Sequence, residues 1–127
     1  MLKIFKDYKN SIKVEVDLSG IAILKSAIEL CLKNNNSVIT TITNGSIGFK
    51  SKPIFEIQFI LSNRSCIYQN SNILYIEFEL EDLIYFQFRI GEANEKKIFY
   101  PAEVLNLGQI KRKEDFYVFF EVKDNEM

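Results

Sequence analysis

Between Ser11 and Lys33 the spacing of apolar residues changes once, from two to about 3.6, and that change demands a strand feeding a helix. Ile12, Val14 and Val16 alternate with Lys13 and Glu15, the pattern of a half-buried strand rich in β-branched side chains. From Gly20 onward Ile21, Leu24, Ile28 and Cys31 share one face, with Lys25, Glu29 and Lys33 opposite at i, i+4 spacing. Asp17 or Ser19 supplies the side-chain oxygen for the helix start, and Asn34-Asn35-Asn36 the stop. The sequence therefore predicts one long amphipathic helix over about 19–33.

The remainder is punctuated by turns and not by helical periods. Val38–Thr43 is β-branched, Asn44-Gly45 is a turn signal, and Ser46–Phe49 is expected to return from it. Ile54–Leu61 and Cys66–Gln69 read as strands, with Asn70-Ser71-Asn72 as the next turn. Ile73–Ile90 reads as a hairpin. A three-residue turn pairs Leu80 with Ile84, Phe78 with Phe86, Ile76 with Phe88 and Leu74 with Ile90, so that one face is wholly apolar. The other face then pairs Glu79 with Tyr85, Glu77 with Gln87 and Tyr75 with Arg89. Lys97–Tyr100 is expected as a short strand. Pro101 is expected to open a short helix near 101–107, because its fixed φ suits a first helical position. A strand is expected to start at Ile110, a charged turn to span Lys111–Asp115, and Phe116–Lys123 to form the last strand before a frayed tail. The expected fold class is α+β. A single domain over 1–127 has a mainly antiparallel sheet of about seven or eight strands, with the long helix packed on one face.

Composition narrows the chemistry. The chain of 127 residues has no histidine, which removes the commonest general base and the commonest zinc ligand. Ser19, Ser26, Ser46 and Ser65 sit in no nucleophile motif and read as capping and turn residues. Five glycines, at 20, 45, 48, 91 and 108, form no phosphate-binding loop. The two cysteines, Cys31 and Cys66, lie among apolar residues and are expected as reduced core side chains. The reading is of no catalytic residue, no metal and no cofactor. Charges throughout the first nine residues, and apolar runs of only four or five, predict a cytoplasmic protein with no membrane partner.

Charge is distributed unevenly. Residues 1–60 carry eight basic and five acidic residues, net +3, whereas residues 61–127 carry eight and twelve, net −4. Between Glu77 and Glu95 one arginine stands against six acids, net −5. Phenylalanines fall on the apolar strand faces, and the tyrosine-bearing face is acidic, which disfavours nucleic acid. A docking face for a basic protein partner is expected on Tyr75, Glu77, Glu79, Glu81, Asp82, Tyr85, Gln87, Arg89 and Glu92.

A strand leading into an amphipathic helix (Ile12–Lys33), then a strand-rich, partly acidic remainder with no catalytic kit, resembles the small bacterial immunity proteins of contact-dependent and polymorphic toxin systems. The resemblance is one of type and carries over no individual residue. It implies an inhibitor that binds the catalytic domain of a cognate toxin, such as a nuclease, and blocks it without chemistry of its own. Alternatives on the same residues are a phage-encoded or orphan inhibitor or adaptor, a carrier of an apolar small ligand, and an enzyme using Glu, Tyr, Lys or Arg.

Overall fold

In the computed structural model, which describes residues 1–34, 38–41, 45–109 and 115–123, Asp17 sets where the first helix begins. Its carboxylate accepts hydrogen bonds from the Gly20 N–H at 2.8 Å, from Ser19 Oγ at 2.7 Å and from the Met1 ammonium at 2.5 Å. Burial works against the charge, but these donors outweigh it and hold the Asp17 pKa down at about 2. Strand β1 (Leu2–Lys6) pairs antiparallel with β2 (Ser11–Val16), and helix α1 (Leu18–Asn34) follows. The expected helix over 19–33 is thus present, and β1 is a strand that its scattered lysines conceal in the sequence.

Strands β3 (Val38–Thr41), β4 (Glu56–Leu61), β5 (Cys66–Asn70) and β6 (Ile73–Phe78) come next. Helix α2 (Leu80–Lys96) and strands β7 (Glu103–Gln109) and β8 (Phe116–Val122) complete the described chain. The class is α+β. All eight strands join one curled sheet in the order β1-β2-β8-β7-β5-β6-β4-β3, with four antiparallel pairings and three parallel ones.

Four expectations are corrected. Residues 80–96 are a helix and not the return arm of a hairpin. Leu83, Phe86, Ile90 and Ala93 are buried at spacings of three, four and three, whereas Ile84 and Phe88 are exposed. Residues 103–109 are a strand where a short helix near 101–107 is expected. Val104, Leu105 and Leu107 are buried, and the ladder to β8 satisfies main-chain groups that one helical turn would leave open. Pro101, joined to Tyr100 by a cis peptide bond, precedes that strand and opens no helix. Lys97, at φ 62°, closes α2 through its N–H to the Ala93 carbonyl, so 97–100 is no strand either. The expected return strand at 46–49 is a single bridge between Ile47 and Pro53 beside a 3-10 turn at Phe49–Ser51. Asn35 and Asn36 of the expected helix stop, residues 42–44, the strand start at Ile110, the turn through 111–114 and the tail from 124 lie outside the described residues.

The core lies between the concave face of the sheet and the two helices. Phe86 is its centre. Its ring lies 6.1 Å from Phe59 on β4, 5.4 Å from Phe78 on β6 and 5.6 Å from Phe120 on β8. The segment 45–54 braces one end. Ser46 Oγ accepts from the Ile4 N–H, Ile47 donates to the Ile4 carbonyl, and Phe49 packs on Phe116 with ring centroids 4.8 Å apart. Gly48 lets this segment lie close to its neighbours, since a Cβ there would make the side-chain ends of Ile54 and Gln69 shift.

Candidate functional site

Ser65, at the end of the loop before β5, determines how α2 starts. Its hydroxyl accepts from the Glu79 N–H at 2.9 Å and donates to the Asp82 carboxylate. A side chain from another element thus takes the part that an N-cap residue usually takes, and Glu81 and Asp82 in the first turn favour the positive end of the helix. Asp82, Tyr85 and Arg89 recur at i, i+3 and i+7. Asp82 and Tyr85 face residues 103–107 of β7 across a groove of about 260 Å³.

Arg89 closes the upper end of this stripe. It is buried, and its guanidinium donates to the Tyr85 hydroxyl at 3.1 Å, to the Glu103 carbonyl at 3.2 Å and to the Pro101 carbonyl. Its Nε lies 3.7 Å from Glu92, which also faces Lys96. Arg89 therefore pins the 101–103 segment to α2. A second depression, of about 150 Å³, lies beside it and is lined by Glu92, Lys96, Ile98, Phe99 and Tyr100. Both hollows are smaller than the roughly 300–1,000 Å³ of ordinary small-molecule pockets.

A second stripe on α2 is directed outward. Leu80, Ile84 and Phe88, at i, i+4 and i+8, are 53%, 49% and 61% exposed, and Tyr85 beside them is 49% exposed. Among the described residues no lysine or arginine forms an ion pair with Glu79, Glu81, Asp82 or Glu103. The outer face of the sheet differs. There Lys13, Glu15, Glu121 and Lys123 pair with one another within 2.9–3.9 Å, so their charges cancel locally.

The nine residues expected on one docking face divide between two places. Glu79, Glu81, Asp82, Tyr85, Gln87, Arg89 and Glu92 gather on or beside α2, with Arg89 buried. Tyr75 and Glu77 lie on the opposite side of the sheet. Tyr75 stacks on Tyr68 at 5.0 Å, and Glu77 is buried beneath Arg64, which grips both carboxylate oxygens at 3.2 and 3.1 Å. Tyr68 donates to the same carboxylate at 2.8 Å. The Arg64 guanidinium holds Glu77 below the usual carboxylate range against the cost of burial, with Tyr68 and Ser62 helping. Burial, and then the Glu77 carboxylate, push the Tyr68 phenol up to about 12. Cys31 and Cys66 are free and buried, and burial raises both thiols, which disfavours the reactive thiolate.

The residues missed at sequence level are Leu80, Ile84 and Phe88, which the hairpin register places in the core, together with Ser65 and Glu103. The missed signal is the stripe Leu83, Phe86, Ile90, Ala93, opened by two acids and closed by Lys96. No group of three or more Cys, Asp or Glu among the described residues is placed to hold a metal ion. No described helix is long and apolar enough to cross a membrane. Compared with protein-family models, with curated proteins and with solved structures, the chain matches none.

Proposed function

We propose that this chain is a toxin-neutralising immunity protein, which binds a cognate toxin domain through the α2 face and occludes it. One observation carries the reading. Three large apolar side chains at helical spacing, Leu80, Ile84 and Phe88, stand about half exposed beside the carboxylates of Glu79, Glu81 and Asp82, which no described cation pairs. A contiguous apolar stripe with a charged rim has the anatomy of a protein interface, because water is a poor partner for the one and a basic partner a good one for the other. The acids would raise the association rate with a basic domain such as a nuclease, and the aromatic and aliphatic anchors would slow dissociation. Inhibition needs no group of this chain to react. An orphan or phage-encoded inhibitor would use the same surface on another target. The carrier reading gains less support, since α1 and α2 occupy the concave face where an apolar ligand would lie.

The test is genetic and biochemical. The toxic C-terminal domain of a large secreted protein encoded directly upstream is co-produced with this chain. Restored growth and a co-purifying complex are expected, and Phe88→Glu with Ile84→Lys should abolish both while the protein stays folded. The absence of such a gene, or toxicity unrelieved by co-production, would overturn the reading.

A further inference from the structure

Helix α1 turns apolar side chains toward water. Leu18, Ile23 and Leu30 are 49%, 42% and 44% exposed, and Ser19, Ala22 and Ser26 between them are exposed as well. Of its 17 residues only Lys25, Glu29 and Lys33 carry a charge. A surface helix ordinarily shows water a polar face, and one that is apolar on most sides is usually covered. α2 packs beside α1 but leaves these side chains open. Ser19, Ile23, Ser26 and Leu30 recur at spacings of four, three and four, the seam along which two helices pack. Lys25 and Glu29 lie on the flank of that seam. Neither forms an ion pair with a described residue.

We propose that the outer face of α1 is the interface of a homodimer, in which two copies pack α1 against α1 antiparallel about a two-fold axis at the level of Ser26 and Ala27. Three observations choose a second copy as the occupant. The first is apolar self-complementarity. An axis between positions 26 and 27 sets Ile23 of each copy against Leu30 of the other, so one contact is made twice. Ser26 lies beside the axis, and its small side chain lets the helices approach to the lower end of the usual range of roughly 8–10 Å. The second is charge. The same axis brings Lys25 of each copy alongside Glu29 of the other, whereas a parallel pair in register would set Lys25 on Lys25 and Glu29 on Glu29. The third is contrast with α2. There Glu79, Glu81 and Asp82 would meet their own copies, so that face suits a basic partner, while the nearly neutral face of α1 suits itself. The inference does not rest on the toxin reading and leaves the α2 stripe uninvolved.

The experiment is analytical ultracentrifugation of the full chain from about 1 μM to about 1 mM. The average mass is expected to rise with concentration from the 14.8 kDa of one chain toward twice that value. Ile23→Asp and Leu30→Lys should each weaken association at least about tenfold, with native circular dichroism because both side chains are exposed. An equimolar mixture of these two variants should dimerise again, since in the antiparallel pair the new carboxylate of one faces the new ammonium of the other. Lys25→Glu should weaken association about tenfold, and adding Glu29→Lys should restore it. This swap leaves the apolar seam intact and tests the arrangement even where Ile23→Asp fails to fold. Phe88→Glu should leave the dimer as it was. A chain that stays monomeric to about 1 mM would overturn the proposal. So would a dimer that tolerates Ile23→Asp but not Phe88→Glu, or the failure of both the mixture and the charge swap to restore pairing. Flotation of the monomer with phosphatidylglycerol vesicles, lost in Ile23→Asp, would assign the face to a membrane surface instead. The growth-rescue test reads Ile84 and Phe88 on α2, so either result stands or falls without the other.

Discussion

Glu77 shows how far one side chain's role depends on what the fold puts beside it. In sequence it is an acid alternating with apolar neighbours, the usual mark of a solvated strand face. In the fold it is buried between Arg64 and Tyr68 and serves structure. Because the folded protein favours the charged forms of Glu77 and Asp17, their contribution to stability is complete above the ordinary values of 4.5 and 3.8. It is lost as pH falls through the lower folded values, for Asp17 about 2. The thermal midpoint should therefore decline from about pH 4.5 downward. Glu77→Gln should cost about 1–2 kcal/mol at neutral pH and flatten the upper part of that decline. A variant with an unchanged acid slope would show that the carboxylate is unpaired. Tyr68 works at the other limit. Its raised pKa means that its contribution is present below 10 and is lost as pH rises through about 12.

Helix α2 illustrates competition at the scale of an element. Ile84, Phe86, Phe88 and Ile90 satisfy a period of two, and Leu83, Phe86, Ile90 and Ala93 satisfy a period near 3.6. The helical reading prevails because the Ser65 hydroxyl, two acids in the first turn and Lys97 at the end provide both caps, while α1 and the sheet bury the stripe. Gly91 distinguishes the two periods experimentally. It lies exposed within α2, and a Cβ there would meet nothing within 4 Å. Gly91→Ala should stabilise the protein by about 0.5–1 kcal/mol, read from denaturant unfolding. A neutral or destabilising result would contradict a helix at this position. The outward stripe of Leu80, Ile84 and Phe88 is the remnant of the same ambiguity. Residues that look like core in a hairpin become surface on a helix, and so become available for binding.

Across the whole molecule, stability and the candidate site depend on one junction. Phe86 joins rings from β4, β6 and β8, strands that lie toward the two ends of the sheet order. Phe86→Ala should cost about 3–5 kcal/mol and lower a single cooperative transition seen alike by near- and far-ultraviolet circular dichroism. Separate transitions for the two ends of the sheet would show that the junction does not couple them. Phe86 also lies on α2 between Ile84 and Phe88, so the contacts that bury it hold the outward stripe at the surface.

Local signals in the chain are enough for part of this architecture. The period change at Asp17, the β-branched runs and the turn residues around Ser71 specify β2, α1, most of the central strands and an α+β class. These signals depend on neighbours within a few residues, and no distant contact reverses them. The remainder waits for long-range contacts. Whether 80–96 becomes strand or helix depends on Ser65 and on the space left beside α1. Whether Glu77 faces water depends on Arg64, thirteen residues away. Each outcome is set by groups that meet only after the chain has folded, and so lies outside what a single stretch of residues can encode.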